Sequence, residues 1–340
     1  MKQLQNCLYI TKDGAYLHKQ RETLLVEQRI EGKKHKLLQV PIHSIGAIFC
    51  FGNVLVSPQV MGFCGERGTG LAFFDQFGRF QARVVGQQHG NVLLRRAQYQ
   101  FSDEQQLTFV KGLVGAKLQS SRAVLQRHLR NHGAVTEVKQ ASARLKQIIE
   151  SLPVQRSIDS VRGYEGEGAK HYFSVFGQLI TNPKFEFNGR NRRPPKDPIN
   201  AMLSFLYAIW GKELSGALQG VGLDPQVGWL HTERPGRDSL AQDLLEEFRA
   251  YVIDRLVLTL VNRKQVKPKD FITDVSGAVS MSDEARKTVL QAYQSRKLET
   301  INHPFLDEQV EIGLLPHLQA MLLSRHIRGD LASYPPFCMR

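Results

Sequence analysis

Cysteine is scarce in this chain. Four residues, Cys7, Cys50, Cys64 and Cys338, are scattered over 340 positions, and none forms a C-x-x-C pair. That argues against a cysteine-rich zinc site. The scatter fits reduced thiols, so a cytoplasmic location is expected. Long apolar runs are also missing. Nothing approaches the roughly 18 residues of a membrane span, and the first residues (Met-Lys-Gln-Leu-Gln-Asn) lead into no signal-peptide core. The chain has no P-loop, no G-x-S-x-G elbow and no G-x-G-x-x-G behind a strand. It shows no internal repeat and no low-complexity segment. Finally, acid is in deficit: 32 Asp and Glu stand against 45 Lys and Arg, a formal net charge of +13.

That surplus of positive charge attracts polyanions, of which nucleic acid is the commonest. At 42% hydrophobic residues the chain can bury a real core. Its length suits two domains.

Residues 1–88 read as β-rich. Short apolar runs alternate with turn signals such as Asp13-Gly14 and Glu31-Gly32, which punctuate hairpins. One short helix interrupts them, with Ser57 as its cap, Pro58 in the first turn and Gly68 at its stop. Leu71–Phe74 and the run from Arg79, split by Phe77-Gly78, suggest a last hairpin. A small β-sandwich is expected. Gly86 to Gly90 mark a change of period.

From residue 89 the pattern is helical, giving an α+β chain with a larger all-α C-terminal domain over 89–340. Ser102 with Gln105 matches a capping box, opening a long helix toward Gly133 that carries Lys111, Lys117, Arg122, Arg127 and Arg130. A second helix covers 138–150. Ala169, Tyr172, Phe173, Phe176 and Leu179 form the apolar stripe of a packed helix, so these rings belong to the core. Residues 182–197 are broken by prolines and glycine. This loop either simply connects, or grips phosphates through Lys184, Arg190, Arg192, Arg193 and Lys196, with Phe185 and Phe187 near the bases. Further helices are expected from Asp197-Pro198, from Asp238-Ser239 through Asp254, from Ser282, and from Asp307 toward Gly329.

Three separated residues sit in contexts that suit metal ligands. Glu165 lies at the threshold of a helix, His231 follows a tight Gly228-Trp-Leu segment, and Glu246 lies one turn beyond Asp243 on a helix. Asp243 and Glu246 project from one helix face, and a loop lets His231 fold back over that helix. Two carboxylates and an imidazole form a mixed oxygen and nitrogen set that suits Mg²⁺ or Mn²⁺. On so basic a chain, such a set points to phosphodiester chemistry. Spacing alone does not single these residues out. Helical acids are usually solvated or paired with bases at i, i+4, and a loop histidine is usually no ligand.

Six stretches carry a resemblance that spacing cannot supply. They are residues 13–17 (Asp-Gly-Ala-Tyr-Leu), 50–54 (Cys-Phe-Gly-Asn-Val), 90–99 (Gly-Asn-Val-Leu-Leu-Arg-Arg-Ala-Gln-Tyr), 162–169 (Arg-Gly-Tyr-Glu-Gly-Glu-Gly-Ala), 192–207 and 231–249. In this order they resemble the CRISPR-associated adaptation endonuclease/integrase family, and the subtype I-C branch most of all. The resemblance covers essentially the whole chain. It implies an N-terminal β-sandwich over 1–88, used for dimerisation, and a helical catalytic domain. It implies a Mg²⁺ or Mn²⁺ site held by Glu165, His231 and Glu246, with Asp243 as an assisting neighbour; the neighbouring Glu167 and Glu247 are read as bystanders, which the sequence alone does not decide. It further implies a homodimer, a small partner protein, and DNA as substrate, both a captured fragment and the repeat array. The fragment's 3′-hydroxyl would attack a phosphodiester of the repeat. Two alternatives stay open: a non-catalytic nucleic-acid scaffold, and a metal-dependent RNA nuclease or other phosphodiesterase.

Overall fold

A computed structural model describes residues 6–76, 80–84, 86, 92–133 and 135–338. The chain divides into two compact units, Met1–His89 and Gly90–Arg340.

The first unit is a pair of four-stranded sheets. Its strands are β1 (Asn6–Ile10), β2 (Ala15–Gln20), β3 (Thr23–Ile30), β4 (Lys33–Pro41), β5 (Ile45–Phe51) and β6 (Leu55–Val56), then, after helix α1 (Pro58–Arg67), β7 (Gly70–Phe74) and β8 (Phe80–Val84). One sheet runs β1-β5-β7-β8, the other β4-β3-β2-β6. Leu8, Ile10, Ile48, Cys50 and Leu71 of the first sheet and Leu17, Leu24 and Val26 of the second share one core. Burying side chains of this kind stabilises by roughly 1.5–3 kcal/mol each.

The two turn signals behave differently. Glu31 and Gly32, at φ 49° and 80°, join β3 to β4 in a two-residue hairpin. Asp13-Gly14 makes no hairpin. It carries the chain from one sheet to the other, tied by Gly14 N–H to the Asn53 carbonyl at 2.8 Å and by Asn53 N–H to Asp13 Oδ1 at 2.9 Å. Helix α1 has the expected ends: Ser57 Oγ accepts the Val60 N–H and Gly68 turns left-handed at φ 68°. β7 and β8 do pair antiparallel, but the expected Phe77-Gly78 turn and most of the Gly86–Gly90 break lie outside the described residues.

The second unit is helical. α2 (Val92–Tyr99) leads to α3 (Asp103–His132), a 30-residue helix opened by the Ser102–Gln105 capping box. α4 (Thr136–Ser151) and α5 (Ile158–Ser174) pack on α3. α6 (Pro198–Gly220) is capped by Asp197 and apolar almost all round, as a central buried helix must be. α7 (Ser239–Phe248) runs through a π-helical segment, Arg249–Asp254, into α8 (Arg255–Asn262).

The C-terminal part is not purely α. Two-stranded ribbons join β9 (Phe271–Thr273) to β10 (Val279–Met281), and, after α9 (Asp283–Leu298), β11 (Thr300–Asn302) to β12 (Gln309–Glu311). The second ribbon occupies the expected start of the last helix. Asp307 sits in its turn at φ 53°, and α10 begins only at Leu315, ending at Ile327. Among the described residues no helix is long and apolar enough to cross a membrane.

Candidate active site

Glu165 sits two turns into α5, not at its threshold. α5 is capped upstream by Ser157 and runs through the glycines around Glu165. Gly168 shows why a glycine belongs there. A Cβ on it would lie 2.3 Å from Leu118 Cδ2 of α3, so its bareness lets the two helices approach. Tyr172, Phe176 and Leu179 are buried as expected, but α5 ends at Ser174, and Phe176 and Leu179 lie in a short 3-10 turn beyond it.

His231 reaches the same place through a tight backbone fold. A Cβ on Gly228 would lie 2.6 Å from Leu240 N and from Ser239 C. Only glycine lets the segment lie against the start of α7. The fully buried Asp243 then accepts the N–H groups of Trp229, Leu230 and His231 at 2.7, 3.0 and 2.8 Å. Arg162 of α5 grips the same segment, donating from Nε and Nη2 to the Leu230 carbonyl at 3.0 and 2.9 Å. The ring Nδ1 of His231 lies 2.8 Å from Asp243 Oδ1. A carboxylate accepts only, so Nδ1 donates to it and Nε2 is the ring nitrogen turned toward the glutamates. That Nε2 lies 3.8 Å from Glu246 Oε1.

Three of the four residues therefore converge, and Asp243 supports them from behind. Between the two glutamates stands a cation that the sequence reading placed merely on a basic helix face. Lys117 of α3, 9% exposed, contacts Glu165 Oε1 and lies 2.6 Å from Glu246 Oε2. Arg249 Nε lies 3.0 Å from the same Glu246 oxygen. Burial alone would lower the Lys117 pKa, but Glu246 and Glu165 more than offset it and push it up. Burial likewise opposes ionisation of Glu246, yet Arg249, Lys117 and His231 together hold its carboxyl well below the usual range.

Among the described residues no three acid, histidine or cysteine side chains stand grouped as a ready metal cage. The donors nevertheless fit a hard divalent cation. Two carboxylates from α5 and α7 already meet on one positive charge, and an imidazole nitrogen lies 3.8 Å from one of them. Lys117 is the stand-in.

These side chains line a cavity of about 540 Å³. Its lining also carries the bases Lys170, Arg190, Arg192 and Arg249. The π-helical segment builds part of it. Residues five apart share a face in a π-helix, so Arg249 and Asp254 both reach the cavity. Asp254 accepts the Tyr172 hydroxyl at 3.0 Å and also that of Tyr207, and burial pushes its pKa up to about 6. Arg249 stacks over the Tyr207 ring at 4.3 Å.

The loop residues expected to grip phosphates divide. Arg190 points inward, donating to Asn200 Oδ1 at 2.6 Å and Ser204 Oγ at 3.0 Å, and Arg192 lines the cavity. Lys184, Arg193 and Lys196 are exposed on the loop. Phe185 is buried against Phe271, and Phe187 packs on Phe173 and Phe176, so neither stands ready for bases. Glu167 pairs with Arg144 at 2.7 Å, away from the cavity. Glu247 points into the core, where the Tyr334 hydroxyl and Gln319 Nε2 donate to it at 2.5 and 2.9 Å. Lys117 and Asp254 gave no local sequence signal. Arg249 did, as a base three residues after Glu246.

A β-sandwich unit, followed by a helical unit whose cleft is lined by acids, an imidazole and bases, defines an α+β protein. The chain belongs to the family "CRISPR associated protein Cas1", whose model matches residues 8–295. It is 48% identical over 346 residues to the "CRISPR-associated endonuclease Cas1 2" of Rhodospirillum rubrum, covering 99% of each chain. Its fold matches a casposase bound to integration product, with a TM-score of 0.83 at 20% identity over 98% of this chain and 93% of that one. It also matches a chain of a Cas6-RT-Cas1–Cas2 complex, with a TM-score of 0.81 at 21% identity, covering all of this chain and 36% of that one.

Proposed function

We propose that this protein is a divalent-metal-dependent DNA endonuclease and integrase of CRISPR adaptation, which inserts captured DNA fragments into the repeat array as new spacers. The observation that carries this reading is the convergence of Glu165 and Glu246 on one cation, beside His231 Nε2, in a cavity that several bases also line. The name of the Rhodospirillum relative supports the endonuclease, and the casposase complex supports joining as well as cutting. A small partner protein is supported by the Cas2 of the complex that contains a like fold. The subunits pair as a homodimer through the β-rich unit, whose β4 edge is exposed along its length.

Glu165, His231 and Glu246 would hold Mg²⁺ or Mn²⁺, which when bound supplies positive charge for the phosphate under attack. The chain's own groups do the rest. Asp243 fixes the imidazole so that Nε2 faces the cleft. Arg249, Arg190, Arg192 and Lys170 draw the phosphodiester in and neutralise its oxygens. The exposed bases Lys184, Arg193 and Lys196 extend that grip along the strand. The nucleophile is the 3′-hydroxyl of the captured fragment, or water in simple cleavage, and the leaving group is a strand end of the repeat DNA.

A strand-transfer assay with a labelled fragment and repeat DNA tests this. Product should form with Mn²⁺, disappear with EDTA and disappear in Glu165→Ala, His231→Ala and Glu246→Ala. RNA substrates should not replace DNA. A protein that binds DNA but stays inert under all these conditions would instead be a scaffold, for which the Lys117 ion pairs are simply structural.

A further inference from the structure

We propose that Lys117 is an exchangeable cation. Its ammonium holds Glu165 and Glu246 together while no divalent ion is bound, and it must leave them when one arrives. This inference rests on the metal reading above and adds a step to it.

The geometry supports exchange over a fixed role. Lys117 touches Glu165 through Oε1 and Glu246 through Oε2, so its nitrogen sits on the line where the acids of α5 and α7 meet. Any ion bound by both carboxylates must occupy that same space. A divalent ion and an ammonium cannot both sit there, because two cations at contact distance repel strongly in a buried site. Removing the lysine without replacement is also unfavourable, since Glu246 is 4% exposed and would face Glu165 uncompensated on that side. One cation is required, and the fold supplies its own.

The rest of the cluster is consistent with exchange. Arg249 contacts Glu246 from α7's own continuation, so Glu246 keeps one partner when the ammonium leaves. His231 is held by Asp243 and not by Lys117, so the imidazole keeps its orientation throughout. Lysine suits the part because its ammonium is a compact charge on a flexible stem. Arginine would grip a carboxylate with two parallel bonds and release it less readily.

Two measurements on the full-length protein test this. The first follows wild-type Lys117 by amine acetylation and mass spectrometry, with and without Mn²⁺. Lys117 should be shielded in EDTA and should become several-fold more reactive at saturating Mn²⁺. The second compares Mn²⁺ affinity by calorimetry. Lys117→Met, which keeps the stem and loses the charge, should bind at least tenfold tighter than wild type, and Lys117→Arg should not bind tighter. If wild type takes up Mn²⁺ while Lys117 stays shielded, the exchange is overturned and the metal reading stands. The same holds if Lys117→Met binds within twofold of wild type. If neither wild type nor Lys117→Met binds Mn²⁺, both ideas fail together. The labelling needs no variant, so a poorly folded Lys117→Met does not protect the proposal.

Discussion

Asp243 holds His231 by two bonds at once: the backbone N–H and the ring Nδ1 both meet Oδ1, each at 2.8 Å. The carboxylate also takes the N–H groups of Trp229 and Leu230 on its other oxygen. One side chain thus sets both the loop and the orientation of the imidazole.

Asp243→Asn should therefore lower strand transfer by about 10–100-fold, the usual cost of losing a residue that orients a ligand. Asp243→Ala should also destabilise the fold by at least about 2 kcal/mol, because buried N–H groups lose their acceptor. Activity assays and denaturant melts read the two effects separately. An Asp243→Asn enzyme with full activity would remove Asp243 from the site.

Gly228 makes that loop possible, since backbone atoms of Ser239 and Leu240 occupy the space of a side chain. Gly228→Ala should cost about 1–3 kcal/mol through overpacking. It should reduce activity further than stability explains, because His231 moves. Activity measured well below the variant's melting temperature checks this.

Asp254 gives a pH signature. Its pKa rises from an ordinary value near 3.8 to about 6 in the folded protein. The folded state therefore holds this proton more tightly than the unfolded state. The resulting stabilisation is complete below pH 3.8 and is lost as pH climbs through about 6. At about 1.4 kcal/mol per pH unit, the loss is on the order of 3 kcal/mol. Asp254→Asn lacks this titration. Stability measured from pH 4.5 to 7.5 should show wild type falling relative to the variant, and parallel curves would contradict the assignment.

DNA binding should weaken steeply with salt, because phosphate contacts release counterions. Neutralising Arg192, which lines the cavity and is exposed, should lower the slope of log affinity against log salt by roughly one. Filter binding between 50 and 200 mM salt measures it. An unchanged slope would place Arg192 away from the phosphates.

The sequence carried the caps and the periodic helices well. Ser57, Ser102, Asp197 and Ser282 all accept an N–H of their helix's first turn, because capping is local chemistry. It misled where long-range packing decides. Glu165 reads as the threshold of a helix, but α5 starts at Ile158 and runs through Gly163, Gly166 and Gly168, the last kept bare by Leu118 of α3. Asp238 through Asp254 reads as one α-helix, and nothing in the residues announced the π-helical segment that turns Arg249 and Asp254 into the cavity. Glu246 and Glu247 are alike in sequence, but one faces the cleft and the other anchors Tyr334 in the core. Lys117 was one base among several on a long helix. Only the fold brings it to acids 48 residues away or more.

Glu165, His231 and Glu246 are proposed to hold one divalent cation in the cleft. Anomalous diffraction from Mn²⁺-soaked crystals of the wild-type protein tests it most directly. A single strong manganese peak is expected within coordination distance of the Glu165 and Glu246 carboxylates and of His231 Nε2. A clean map there, with Lys117 still bridging the two glutamates at saturating Mn²⁺, would contradict it.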